Sequence, residues 1–183
     1  MSTLANIRAR STWRDIIEGQ FQHLGLIILL TAGACSLMEP SPNGTRLLGL
    51  ESWQWAVLSM WLAVTHQVIV AIIFRLQLHC NLVTRMHGEN DIKTWTIIFL
   101  PFLAVRPIAV IMAGSADDVP IGLPWSIEWT VGTVLVALAI VTMHSVLKHF
   151  TIRRAVGGDH FRDEIAAMPM VKEGVFKYTD NAM

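Results

Sequence analysis

The sequence predicts an all-α, polytopic membrane protein with four transmembrane helices and both termini in the cytoplasm. The first observation is composition: 53% of the 183 residues are apolar and only 15% are charged, whereas soluble domains are roughly 45–50% apolar and about 25% charged. The second is a series of long windows without charged residues, each close to the roughly 20 residues that cross a bilayer as a helix. The third is the position of the basic residues, which lie mostly in alternate connecting segments.

The uncharged windows define the four predicted spans. Residues 19–38, 52–74 and 129–147 contain no Asp, Glu, Lys or Arg, and residues 94–116 contain only Arg106. The predicted spans are Phe21–Leu37, Trp53–Phe74, Trp95–Met112 and Ile127–Leu147. Stretches such as Leu24–Leu30 lack the polar residues that a helix of a soluble bundle shows every three to four positions. A soluble helical bundle is therefore disfavoured.

Tryptophans mark the ends of these spans. Their indole rings prefer the headgroup region of a bilayer, where the ring is buried and the N–H stays hydrated. The residues at predicted span starts are Trp53, Trp55, Trp95, Trp125 and Trp129. They predict an aromatic belt and support the boundaries drawn from the missing charges.

The basic residues set the orientation. All 14 lysines and arginines except Arg46 and Arg106 lie in the N-terminal tail, the 75–93 loop or the tail after the fourth span. The positive-inside rule then places both termini in the cytoplasm. The sequence predicts a protein of the bacterial inner membrane or, in a eukaryote, the endoplasmic reticulum. The formal net charge of zero and the scattered bases exclude a nucleic-acid-binding surface.

The chain is predicted to divide into a four-helix transmembrane domain, residues 1–147, and a cytoplasmic tail, residues 148–183. Residues 38–50, rich in Pro, Asn and Gly, are predicted to form an external loop. Lys148–Val156 is expected to continue the fourth helix until Gly157 and Gly158 end it. Asp159–Ala167 is expected to form a further short helix before Pro169.

Ionisable residues within the spans are functional candidates, because polar groups are costly in the bilayer. Arg106 lies in the third span and either snorkels to the external face, pairs with an external acid, or binds a lipid headgroup phosphate. His144 lies near the cytoplasmic end of the fourth span and could contact an anionic headgroup. His66, in the second span, is expected to be a hydrogen-bonded packing residue rather than a haem ligand with His144, since their depths differ.

The end of the chain resembles the integral-membrane methyltransferases, which include phospholipid (phosphatidylethanolamine) N-methyltransferases and isoprenylcysteine carboxyl methyltransferases. Their pattern runs roughly G-x-[YF]-[RK]-Y-x-R-[HN]-P-x-Y-x-G. The positions that match it are Gly174, Phe176, Lys177, Tyr178 and Asn181, with His160 and Phe161 in the preceding stretch. The resemblance covers residues 159–183 and implies S-adenosylmethionine as cofactor, bound by Gly174, Phe176, Tyr178 and Asn181, with a lipid substrate that enters from the bilayer.

Two positions depart from the family pattern: Asp180 stands where the family has Arg, and Ala182 where it has Pro. The match also stops at Met183, before the family's helical hairpin and Glu-Glu motif, so the resemblance is C-terminally incomplete. The sequence therefore leaves two function classes open. One is an S-adenosylmethionine-dependent methyltransferase-like protein that acts on a lipid, active or catalytically degenerate. The other is a non-catalytic transmembrane subunit of a larger membrane complex, such as an energy-transducing one. No generic catalytic motif assigns catalytic residues.

Overall fold

A computed structural model describes residues 3–38, 45–117 and 122–178. Within these ranges the secondary structure is helical, apart from turns and one isolated β-bridge between Leu47 and Leu50. Four helical segments are long and apolar enough to cross a membrane, which confirms the predicted fold class and span count. The chain divides into two compact units, Met1–Asp118 and Val119–Met183.

The first unit contains three of the membrane-spanning helices. Its α-helices are α1 (Thr3–Arg10), α2 (Trp13–Ile17), α3 (Gln20–Ser36), α4 (Ser52–Cys80), α5 (Leu82–His87) and α6 (Asp91–Ser115). Helices α4 and α6 form its most extensive helix pair. Trp95 of α6 is buried and packs against Phe74 and Phe99, with ring centroids 5.6 and 5.7 Å apart. Trp95 is thus a core residue of the first unit, near the start of α6.

The segment expected to be a loop between the second and third spans is mostly helical. Helix α4 continues to Cys80, and Asn81, with φ +55°, reverses the chain into α5. The buried amide of Gln77 holds this reversal: its oxygen accepts from the backbone N–H of Val83 at 2.9 Å, and its nitrogen donates to the Thr84 hydroxyl at 2.8 Å. Thr84 in turn donates to the carboxylate of Asp91, which is fully buried at the start of α6. The polar side chains thereby satisfy the buried groups of a turn that is partly exposed to solvent.

The second unit begins with α7 (Trp125–Ser145), whose Trp125 and Trp129 are exposed as expected for an aromatic belt. The expected straight continuation of this helix through residue 156 is wrong. A single π-helical turn, Val146–Phe150, follows α7, and the helix breaks at Thr151. Short helices α8 (Ile152–Ala155) and α9 (Asp163–Ala166) then flank a 3-10 turn at Gly158–His160. The helix expected over Asp159–Ala167 is therefore reduced to one turn.

Candidate functional site

The helical break after α7 organises the candidate site, which lies wholly within the second unit. A π-helical turn occupies Val146–Phe150, a feature frequently found at functional sites. Thr151 follows with φ +68° and ψ +150°, a conformation that a β-branched residue rarely adopts. Strained backbone of this kind persists where surrounding contacts hold it, and such places are often functional. The break therefore makes the C-terminal end of α7 a candidate functional site.

Gly174 docks the C-terminal segment onto this break. It has φ +61°, and a Cβ atom added to it would lie 2.7 Å from Ser145 Oγ and 3.1 Å from His149 Cδ2. The next residue, Val175, donates its backbone N–H to Ser145 Oγ at 3.3 Å. Position 174 thus needs glycine twice, for its backbone conformation and for its close approach to α7.

Phe176 adds a second contact between the C-terminal segment and the π-helical turn. Its ring is only 6% exposed and stacks on Phe150, with ring centroids 5.4 Å apart. The guanidinium of Arg154 lies 4.9 Å from the centroid of the Phe150 ring, within cation–π range. Residues 174–177 form a short 3-10 turn that is held against the π-helical turn by a glycine and an aromatic pair.

A histidine–carboxylate pair lies beside this contact. His149 Nδ1 is 2.9 Å from Glu173 Oε2, with the His149 side chain 19% exposed and that of Glu173 77% exposed. A ring N–H that donates to a carboxylate fixes the tautomer of a neutral imidazole and leaves Nε2 as a proton acceptor. Ser145, His149 and Glu173 therefore surround Gly174 with groups able to hold or move a proton.

The four residues that the resemblance assigns to the cofactor have different environments. Gly174 lies against Ser145 and His149, and Phe176 stacks on Phe150, so both attach the segment to the end of α7 and the π-helical turn. Tyr178 is 83% exposed, so its ring is available to a ligand. Asn181 lies outside the described residues.

The two residues expected to contact a headgroup are in different units and different environments. His144 is exposed at the end of α7. Arg106, in the first unit, donates from Nη1 to Nδ1 of His66 at 3.1 Å. His66 is buried between α4 and α6, as expected of a hydrogen-bonded packing histidine.

One charged pair outside the spans also belongs to the second unit. His160 Nδ1 lies 3.0 Å from Asp159 Oδ1, and this hydrogen bond holds the pKa of Asp159 below its usual value. Both residues follow Gly157, which has φ +79° and ends the short helix before them. His160 is thus a local partner of Asp159 in the stretch that precedes the docked segment.

Sequence reasoning did not single out Ser145, His149 or Glu173. Ser145 and His149 are four residues apart, which places them on one helix face, but Glu173 is distant in sequence and the sequence contains no sign of the π-helical turn. Comparison of the chain with protein-family models, with curated proteins and with solved structures finds no match. The site is therefore interpreted from its own geometry and from the resemblance of its C-terminal segment.

Proposed function

We propose that this protein is a membrane-embedded, S-adenosylmethionine-dependent methyltransferase that acts on a lipid. One observation carries the proposal: the methyltransferase-like segment packs against the C-terminal end of α7 and the π-helical turn through Gly174 and Phe176. Glu173 and Tyr178 flank the docked turn: Glu173 contacts His149 of the π-helical turn, and the ring of Tyr178 is exposed. Methyl transfer demands mainly that two reactants are aligned and water is excluded, so a fixed attachment at the bilayer is the arrangement it needs.

The available side chains fit the cofactor. The exposed ring of Tyr178 offers a flat surface for adenine, and the exposed carboxylate of Glu173 offers acceptors for ribose hydroxyls or an ammonium group. When bound, S-adenosylmethionine supplies an electrophilic methyl group on its sulfonium. Gly174 and Phe176, which the resemblance also assigns to the cofactor, position the segment against α7 and the π-helical turn.

A proton acceptor is needed if the methylated group is an amine, because an ammonium has no free electron pair. In the proposed site His149 Nε2 accepts that proton, while Glu173 holds the ring through Nδ1 and stabilises the imidazolium that forms. The exposed His144, one turn closer to the membrane interior, provides a cation near the lipid phosphate when protonated.

Binding of S-adenosylmethionine to the detergent-purified protein tests the proposal. Isothermal titration calorimetry is expected to show saturable binding that Tyr178→Ala weakens at least tenfold. Trp13→Ala, which removes an exposed aromatic ring of the first unit, is the matched control and should leave affinity unchanged. No binding of the wild-type protein at millimolar ligand would reject the proposed function.

A second candidate function, a non-catalytic subunit of a membrane complex, is favoured by the exposure of two spans. Helix α3 has no buried residue, and Ser145 is the buried residue of α7. Large exposed apolar surfaces of this kind form subunit interfaces as well as lipid-facing surfaces. This candidate predicts that the protein co-purifies with other membrane proteins at fixed stoichiometry in mild detergent. A monodisperse monomer that binds S-adenosylmethionine would exclude it.

A further inference from the structure

A groove in the first unit is separate from the site described above. It lies between α2, α3 and the second half of α4 and has a volume of about 270 Å³. This is close to the lower end of the roughly 300–1,000 Å³ range of small-molecule sites. We call it the α3–α4 groove and define it by Gln20, His23, Ile27, Val68, Ala71 and Arg75.

The α3–α4 groove is polar at one end and apolar at the other. Gln20 and His23 of α3 face Arg75 of α4 at the polar end, whereas Ile27 and Val68 line the other end. Val68 and Arg75 are seven residues apart in one helix, so the change occurs over about 10 Å at a rise of 1.5 Å per residue. A phospholipid has the same order of groups over the same distance: a charged phosphate, then an acyl chain.

Arg75 is oriented by the chain and keeps donors to spare. Its Nη1 donates to the carbonyl oxygen of Asp15 at 2.9 Å, and its Nη2 donates to the carbonyl oxygen of Glu18 at 3.1 Å. A guanidinium has five N–H donors, so three remain for a ligand. Carbonyl oxygens carry no formal charge, so neither contact is an ion pair, and a phosphate oxygen would supply a charged acceptor.

We propose that the α3–α4 groove binds one phospholipid, with an acyl chain along Ile27 and Val68 and the phosphodiester at Arg75, Gln20 and His23. The recognised feature is therefore the phosphodiester joined to an acyl chain, whether the headgroup is zwitterionic or anionic. The proposal concerns the first unit and stands independently of the methyltransferase proposal.

Native mass spectrometry of the delipidated protein in detergent tests this proposal with three probes. Phosphatidylglycerol should bind with defined stoichiometry. Diacylglycerol, which lacks the phosphate, and glycerol phosphate, which lacks the acyl chains, should each bind at least tenfold more weakly. Equal binding of diacylglycerol and phosphatidylglycerol would overturn the proposal, because it would mean that the groove reads only the acyl chain.

Two substitutions locate the binding without removing the contacts that Arg75 makes to α2. Ala71→Trp fills the groove, and His23→Ala removes one polar group from its end; both should lower phosphatidylglycerol affinity, Ala71→Trp at least tenfold. Ala104→Trp, on the exposed face of α6, and Arg85→Gln, an exposed arginine of α5, are the matched controls. Retained affinity in Ala71→Trp, with an unfolding temperature like that of Ala104→Trp, would place the lipid elsewhere and refute the proposal.

Discussion

Arg106 Nη1 lies 3.1 Å from His66 Nδ1, which joins α6 to α4 near the middle of both helices. The guanidinium donates and the imidazole accepts, so the proton of a neutral His66 resides on Nε2. Phe99 and Phe102 hold the ring, with centroids 5.0 and 6.2 Å from that of His66. The charge of Arg106 is thus partly satisfied inside the bundle, so Arg106 acts as a connection between helices.

The Arg106–His66 bond is expected to be energetically coupled. A double-mutant cycle of His66→Ala and Arg106→Leu, measured by unfolding in mixed micelles, should give a coupling energy of about 0.6–1.7 kcal/mol, as for other hydrogen bonds between membrane helices. His87→Ala, an exposed histidine of α5, should show no coupling with Arg106→Leu. A coupling energy within error of zero for His66 would show that the bond does not stabilise the helix pair.

Gln77 should be far more sensitive to substitution than its neighbour Gln67. Gln77→Ala leaves the N–H of Val83 without its acceptor and removes the Gln77 donor from the Thr84 hydroxyl, which keeps its bond to Asp91; the expected cost is about 1–3 kcal/mol. Gln67 lies exposed on the same helix and is the matched control. The free energy of unfolding measures both variants, and a similar small effect of the two would contradict the role assigned to Gln77.

Gly174→Ala should release the C-terminal segment from α7. A non-glycine residue at this φ costs about 1–3 kcal/mol, and here the added Cβ also meets Ser145 Oγ. Gly49→Ala is the matched control, because Gly49 of the first unit also has positive φ but no atom within 4 Å of its Cβ position. Trypsin cleavage at Lys172 and Lys177 should accelerate in Gly174→Ala and stay at the wild-type rate in Gly49→Ala.

Replacement of Ser145 provides a further check on the same contact. Ser145→Gly removes two of the three atoms that the new Cβ would meet and leaves His149 Cδ2, so combination with Gly174→Ala should partly restore protection from trypsin. Protection that is unchanged by Gly174→Ala alone would contradict the docked arrangement.

Glu51 predicts an acid-dependent contribution to stability at the start of α4. The indole N–H of Trp53 donates to its carboxylate, Arg46 pairs with it, and both lower the pKa of Glu51. Since the folded pKa is below the unfolded value of about 4.3, the stabilisation is complete above that value and is lost as pH falls through the folded pKa. The difference in Tm between the wild-type protein and Glu51→Gln should therefore shrink on acidification from about pH 6 to pH 3.

The matched control for this titration is Glu164→Gln, which changes an exposed carboxylate of α9. Its Tm difference from the wild-type protein should be small at every pH. A Tm difference for Glu51→Gln that is constant across the same range would rule out the proposed contribution of the Glu51 carboxylate.

The membrane-spanning helices were predictable because charged residues are costly in a bilayer, so each span is a window of sequence with almost no charged residues. Each window without charged residues corresponds to a long helix, and α3 begins and ends within one residue of its prediction. The connecting segments were not predictable in the same way. The turn at Asn81 depends on the side chain of Gln77. Nothing in the sequence shows that Gln77 is buried whereas Gln67, on the same helix, is exposed.

The candidate site was predictable only in part. The resemblance drew attention to Gly174, Phe176 and Tyr178, but nothing in the sequence distinguishes the structural role of Phe176 from the exposure of Tyr178. Ser145 and His149 lie at and within the π-helical turn, a rare element that no pattern in the sequence predicted. His66, by contrast, matched its expected packing role, because a histidine within a span needs a hydrogen-bond partner.

Transfer of a labelled methyl group tests the central claim most directly. The protein is reconstituted into phospholipid vesicles with methyl-labelled S-adenosylmethionine, and label in the extracted lipid is counted for wild type, Tyr178→Ala, His149→Ala and the control Trp13→Ala. Labelled lipid is expected with the wild-type protein and with Trp13→Ala, and at least tenfold less with Tyr178→Ala and His149→Ala. Lipid that stays unlabelled with the folded wild-type protein, or equal labelling by all four proteins, would contradict it.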